Sequence, residues 1–343
     1  MSQRTEIASL GEFGLIDRLT QPFQLKNTSS LKGVGDDAAV IDYGDKKTLV
    51  TTDLLLEGIH FDLVYVPLKH LGYKAAVVNF SDIYAMNGSP RQMTISLGIS
   101  KRFSVENMEE FYAGVQLACD HYGVDLIGGD TSSSLTGLMI SVTCIGEGEI
   151  DKIVYRNTAC ENDLLCVTGD LGAAYMGLQL LEREKIAFDG QKDFQPDFSG
   201  KDYLLERQLK PEARKEIIEA LKNKNIVPTS MIDISDGLSS EVLHICTQSK
   251  KGCRIYEERL PIDYQTAVMA EEFNMNLSTV ALNGGEDYEL LFTVPSALHD
   301  EVKSIEGVTI IGYITKEDLG CCLITRDGQE FQIKAQGWNH YQE

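Results

Sequence analysis

The sequence predicts two units that each mix strands and helices, an α/β unit followed by an α/β or α+β one. Three observations carry this reading. At 343 residues the chain suits two domains better than one, each long enough to bury a core. Stretches with strand alternation are interleaved with stretches whose apolar residues recur at helical spacing. Glycine or hydroxyl residues beside carboxylates recur along the chain, from Gly35-Asp36-Asp37 to Gly285-Glu286-Asp287, mostly where strands end.

Taken in order, residues 5–20 predict a short amphipathic helix ended near Pro22. Residues 38–42 and 48–52 read as strands joined by the turn Tyr43-Gly44-Asp45. Pro67 opens a helix to about Met86 with Leu71, Ala75 and Val78 as its apolar stripe. Asn79 and Asp82, three apart, share a face of that helix. Residues 92–99 alternate as a strand, and Ser104 caps a helix whose inner face is Met108, Phe111, Tyr112, Val115 and Ala118. Strands at 124–127 and 138–145 complete the first unit, so the expected domains are 1–148 and 149–343.

The second unit opens with a strand at 164–168, the turn Gly169-Asp170-Leu171-Gly172 and a helix from about Ala173 to Arg183. Residues 185–202 read as a polar surface loop, followed by a helix from Glu212 to Lys222. A helix from Ser239 to Thr247 turns Val242, Leu243 and Cys246 inward. Leu291 to Val294 and residues 308–314 and 320–325 read as strands.

Composition narrows the function. Hydrophobic residues at 43% and charged residues at 24% describe an ordinary soluble protein. A formal net charge of -21 argues against a nucleic-acid backbone or an anionic membrane as the main partner. No apolar run is long enough to span a bilayer, and the N-terminus lacks the pattern of a signal peptide. The eight cysteines form no C-x-x-C pair and several sit in apolar runs, which predicts buried free thiols and a reducing, cytosolic compartment. The six histidines form no H-E-x-x-H or similar pattern, which argues against a zinc site.

The carboxylate motifs are Gly35-Asp36-Asp37, Thr52-Asp53, Ser81-Asp82, Gly129-Asp130, Asp233-Ile234-Ser235-Asp236 and Gly285-Glu286-Asp287. Singly, each is common turn or cap chemistry. Recurring with hydroxyl and glycine neighbours, they offer the oxygen donors that Mg²⁺ takes together with water and nucleotide phosphates. Phosphoryl transfer with metals as the main electrostatic catalysts is the chemistry this suggests. No P-loop, no protein-kinase signature and no clean G-x-G-x-x-G before a helix is present, so any use of ATP follows another plan.

In this order and spacing the segments resemble the thiamine-monophosphate kinase family, within the superfamily of aminoimidazole ribonucleotide synthetase. They run from Gly11-Glu12-Phe13-Gly14 through Gly33 to Val40, Thr51-Thr52-Asp53, Glu57 to Phe61, Tyr73 to Met86 and Ile127 to Thr131. Ile232 to Leu238, Gly284 to Leu290 and Gly337 to Tyr341 complete the set. The resemblance implies a two-domain fold whose N-terminal domain binds ATP and Mg²⁺ and pairs with a second copy to close a barrel of strands. It also implies transfer of the γ-phosphoryl of ATP to thiamine monophosphate in the cytoplasm, with several Mg²⁺ and room for a monovalent cation. Asp37, Thr51, Thr52, Asp53, Asp82, Asp130, Asp233 and Asp236 are then the metal ligands, with Asp37, Asp82 and Asp130 catalytic and Asp82 most central. Tyr112, Gly129, Asp130, Arg156 and Ser235 would contact the nucleotide; His60, Glu286 and Trp338 would face thiamine monophosphate.

Three positions depart from the family pattern: Thr51 where Ser is frequent, Ile59 where Asn is common, and Gly169 to Ala174, which lacks the usual Asp-Ser. His60 also reads as a packed histidine, Trp338 as a cap of the last strand and Arg156 as a surface ion pair. Two rivals stay open. One is a sister enzyme acting on selenide or a purine precursor, although no cysteine precedes Cys119 and the chain ends Tyr341-Gln342-Glu343 without the cysteine-bearing tail of hydrogenase-maturation relatives. The other is a binding protein for nucleotide or divalent ions without turnover.

Overall fold

The computed structural model describes residues 30–32, 35–42, 44–188 and 195–335. The helix expected over 5–20 and the segment carrying Trp338 lie outside them, as do Gly33, Val34 and Tyr43.

The first sheet has the order β1-β2-β3-β6-β4-β5, from β1 (Ser30–Lys32), β2 (Ala39–Asp42), β3 (Lys46–Leu56), β4 (Ser89–Ile99), β5 (Asp125–Ser133) and β6 (Leu138–Glu149). All neighbours are antiparallel except β4 and β5. The strands alternate as half-buried strands should: in β3, Leu49, Thr51 and Leu55 are buried while Thr52 and Leu54 are exposed. The buried face is covered by α1 (Leu68–Ala85) and α2 (Val105–Tyr122), which follow β3 and β4 respectively.

Pro67 stands at the N-cap of α1, where its missing N–H is of no consequence. Ser104 and Asn107 form a reciprocal capping box on α2. The two helices touch backbone to backbone. A Cβ on Gly72 would lie 1.9 Å from the Phe111 carbonyl oxygen, and one on Gly114 would lie 1.8 Å from that of Lys69. Only glycine permits this approach.

Helix α1 is buried on nearly every side rather than along the single stripe expected, because a second layer packs on its far side. That layer belongs to a sheet of order β13-β12-β9-β11-β7-β10-β8. Its strands are β7 (Leu164–Thr168), β8 (Ser230–Ile234), β9 (Lys251–Tyr256), β10 (Glu289–Val294), β11 (Val308–Lys316), β12 (Cys321–Ile324) and β13 (Glu330–Gln332). Helices α3 (Ala173–Phe188), α4 (Asp202–Leu209), α5 (Lys215–Asn223), α6 (Leu238–Ser249), α7 (Tyr264–Glu272), α8 (Leu277–Asn283) and α9 (His299–Lys303) complete the second unit. One apolar core joins Phe80, Met93 and Phe111 of the first unit to Met231, Leu290 and Phe292 of the second. The expected loop over 185–202 is in part helix: α3 runs on to Phe188 and α4 begins at Asp202.

Glu289 anchors the second unit. Its buried carboxylate accepts from Thr168 Oγ1 at 2.5 Å and Arg207 Nη1 at 2.7 Å, and pairs with Arg214. Despite burial, the two guanidinium groups and these hydrogen bonds hold its carboxyl below the usual range.

Candidate functional site

Polar side chains of α1 that cannot face the first sheet's apolar layer meet the second unit, and the site forms at that seam. Strand alternation turns Thr51 and Asp53 of β3 toward α1, and Thr51 Oγ1 donates to Asp82 Oδ2 at 2.5 Å. One residue earlier on α1, Ser81 Oγ donates to Asp233 Oδ2 of β8 at 2.6 Å, linking residues 152 apart in sequence. Asp37, in the turn before β2, closes the group. Carboxylate oxygens of Asp37, Asp82 and Asp233 all lie within 4.8 Å of one another.

Such a group resists ionisation. Burial, then the charges of Asp53, Asp233 and Asp37, push the Asp82 carboxyl well above its ordinary range. Burial, then Asp37, does the same to Asp233. Burial raises Asp53 to about 6. Asp36 is also raised to about 6, by burial first and by Asp37 second. The cation that faces this cluster is Arg156: its Nε donates to Asp37 Oδ2 at 3.0 Å and its backbone N–H to Asp36 Oδ2 at 3.4 Å. The carboxylates of Asp37, Asp53, Asp82 and Asp233, with two hydroxyls and one guanidinium, form an oxygen-rich donor set in need of further positive charge, which is the requirement of a hard divalent ion.

Thr52 and Asp130 do not join this cluster. Thr52 points to the opposite face, where its hydroxyl donates to the Val142 carbonyl at 2.9 Å and accepts from Thr143. Ladder register places Asp130 in the row of Leu54, Ser141 and Ser96, on the face of Thr52. An extra residue in β5 between Leu126 and Gly128 causes this, by shifting the alternation relative to β4. Gly129 then falls in the row of Asp53 at φ 159°, and a Cβ there would lie 1.9 Å from the Ile95 carbonyl oxygen. Gly129, Asp130, Thr131 and Tyr112 line one open depression of about 510 Å³ along this edge.

The segment 284–288 lies against the end of β8. Glu286 and Tyr288 both take positive φ and donate backbone N–H groups to the carbonyls of Ser235 and Ile234, at 2.6 and 2.8 Å. The Glu286 carboxylate meets Lys74 Nζ at 2.8 Å and Gln208 Nε2 at 2.7 Å, so α1, α4 and this loop converge on it. Asp236 donates its backbone N–H to the buried Glu241 at 3.0 Å. His60 accepts the Leu56 N–H on Nδ1 at 3.0 Å, within the turn that follows β3. Asp287 accepts the Gly172 N–H at 2.8 Å at the start of α3, and so holds the turn whose sequence departs from the family pattern.

Lys74, Gln208 and Glu241 were not singled out from sequence, and Asp36 was named only within its motif. The signal for Lys74 was available, since a lysine inside Tyr73-Lys74-Ala75-Ala76-Val77-Val78 must find a buried partner. Gln208 carried none.

The chain and its fold are similar to known proteins. The model of the AIR synthase related protein N-terminal domain matches residues 35–147 and that of the C-terminal domain matches 161–320. A thiamine-monophosphate kinase of Aquifex aeolicus is 36% identical over 98% of this chain and 99% of its own length. One of Bacillus subtilis is 32% identical over 97% and 100%. The solved structure of AaThiL complexed with AMPPCP and TMP superposes with a TM-score of 0.84 at 35% identity, covering 99% of this chain and 100% of that one. Hydrogenase maturation protein HypE, at 18% identity and TM-score 0.68, shares the fold.

Proposed function

The chain belongs to the thiamine-monophosphate kinase family, and on that premise we propose that it phosphorylates thiamine monophosphate with ATP, giving thiamine diphosphate and ADP. The observation that carries the reading is the convergence of Asp37, Asp82 and Asp233 from three separate elements. Near neutral pH the acceptor is a phosphate oxygen that is already anionic. No general base is needed, and the carboxylates act by position and charge.

The donor set fits Mg²⁺. Asp37, Asp53, Asp82 and Asp233 would hold it, with Thr51 orienting Asp82 and Ser81 orienting Asp233. When bound, Mg²⁺ neutralises the charge on the phosphates that meet there. Arg156 fixes the Asp37 carboxylate and faces the same space. Thr52 and Asp130, turned to the other face of the sheet, are not given to this ion; Asp130 and Gly129 would take nucleotide phosphate along the open edge of β5, where Gly129 lets the strand lie close to Ile95. Tyr112 lines the same depression as a nucleotide contact. Asp236 and Ser235 stand at the turn between β8 and α6, from which they would reach the nucleotide side. On the acceptor side, Lys74 and Gln208 hold Glu286, with His60 at the far turn.

A second copy fits the exposed face of the first sheet. Leu54 is 51% exposed and Ile127 58%, and every residue of β5 is exposed although its backbone pairs with β4 on one side only. A long bare edge beside an apolar face is what pairing into a dimer barrel would cover. Among the described residues no helix is long and apolar enough to cross a membrane. The free thiols, Cys160 exposed among them, support a cytoplasmic location.

The test is to incubate the purified chain with ATP, Mg²⁺ and thiamine monophosphate. Thiamine diphosphate that forms only with both ATP and Mg²⁺ confirms the reading. Bound nucleotide without product would move the assignment to a sister substrate.

A further inference from the structure

The sequence argues against a zinc site on its histidines, but the fold gathers thiols instead. Cys246 on α6 and Cys253 on β9, consecutive elements, meet Cys321 on the distant β12, and their Sγ atoms all lie within 4.8 Å of one another. Strands β9 and β12 are parallel with Cys253 opposite Cys321, so both thiols emerge on one face, and α6 packs across that face with Cys246. Alternation sends the adjacent Cys322 the other way.

Three sulfurs bound to one Zn²⁺-sized ion at about 2.3 Å stand about 3.8 Å apart, so the observed spacing needs an adjustment of an ångström or less. A disulfide would use two thiols and leave the third unexplained. Cys246 and Cys253 are buried in an apolar core, while Cys321 is half-buried, which leaves one approach open to solvent. Arg254 is held by the carbonyls of Cys253, Leu319 and Gly320 and by Glu330 at 3.0 Å. Among the described residues no carboxylate contributes to the cluster itself.

We propose that Cys246, Cys253 and Cys321 bind one thiophilic divalent cation of the zinc class, with the fourth position open toward solvent on the Cys321 side. This site is separate from the carboxylate cluster at the seam. It selects by softness, because thiolates prefer such ions over Mg²⁺.

The test uses the full chain, stripped with chelator under reducing conditions and titrated with Cd²⁺. Thiolate–metal charge-transfer absorption saturating at one ion per chain, with three thiols protected from a thiol reagent, is the expected result; carboxylates give no such band. Cys321→Ser should weaken binding by more than the roughly 10–100-fold lost with a supporting contact. It should keep its kinase turnover, which shows that it folds. Asp82→Asn should leave the band unchanged. An absent band, or an equal band and affinity in Cys321→Ser, overturns the proposal. So does a metal-free reduced protein in which two of the three remain disulfide-bonded.

Discussion

Replacing Asp82 by Asn separates what the carboxylate cluster does for stability from what it does for turnover. Asp82 shares its space with Asp37 and Asp233, their oxygens no more than 4.8 Å apart. At an effective dielectric of about 20, two unit charges at that distance repel by about 3.5 kcal/mol, so Asp82 ionised against both partners would carry about 7 kcal/mol. The metal-free chain relieves most of this by holding protons, as the raised Asp82 and Asp233 carboxyls indicate. Asn keeps an oxygen that can accept from Thr51 and adds no charge. The metal-free variant should therefore be more stable than the wild type by about 1–2 kcal/mol, raising its melting temperature by several degrees. Turnover should fall at least about a hundredfold, since a ligand to the Mg²⁺ that would neutralise the transferring phosphates is lost. The assay is a pair of melting curves, with and without Mg²⁺ and a non-hydrolysable ATP analogue, beside steady-state rates. A destabilised metal-free variant, near-normal turnover, or Mg²⁺ stabilising the variant as much as the wild type would each refute the reasoning.

Other expectations follow from the same geometry. Asp36 and Asp53 titrate in the fold at about 6, above the ordinary carboxylate value. A raised folded value means stability is full below the unfolded value and lost as pH rises through about 6. The metal-free melting temperature should thus decline between about pH 4 and pH 7, and Asp53→Asn should shrink the decline; a flat profile contradicts this. Glu289→Gln strands Arg207 and Arg214 in the second unit and should destabilise by about 3–5 kcal/mol in denaturant unfolding, with an unchanged midpoint counting against the buried anchor. Gly129→Ala forces β5 away from Ile95 and should raise the KM for ATP while the chain stays folded; an unaltered KM would place the nucleotide elsewhere. Glu286→Gln removes the ion pair with Lys74 and should raise the KM for thiamine monophosphate about tenfold, with little change in that for ATP, as expected for one charged contact.

The strong periodicities were legible in the sequence. The helix opened at Pro67, the Ser104 cap and the strands expected around 38–52, 92–99 and 138–145 occur where the pattern puts them, the last running on to Glu149, because burial on one face writes itself into residue spacing. Helix α4 was not legible: it buries little beyond Leu204 and Gln208, and no helix is expected from the sequence over Asp202 to Leu209. Strand β9 was also missed, since Lys251-Gly252-Cys253-Arg254 carries no alternation and Arg254 lies buried on hydrogen bonds to carbonyls. The acidic motifs could be read in order, but their grouping could not. Which of Thr51 and Thr52 faces Asp82 depends on strand register. The Ser81–Asp233 bond joins two units, and the shift of Asp130 to the other face comes from one extra residue in β5. These are facts of packing, and local sequence does not encode them.

The most direct test of the central claim is calorimetric titration of Mg²⁺ into the chain with a non-hydrolysable ATP analogue present, run beside Asp82→Asn. The account predicts saturable Mg²⁺ binding in the wild type that is lost or much weakened in the variant, in step with turnover. Equal binding in both would contradict it, and would mean that the three carboxylates are structural and the metal is held elsewhere.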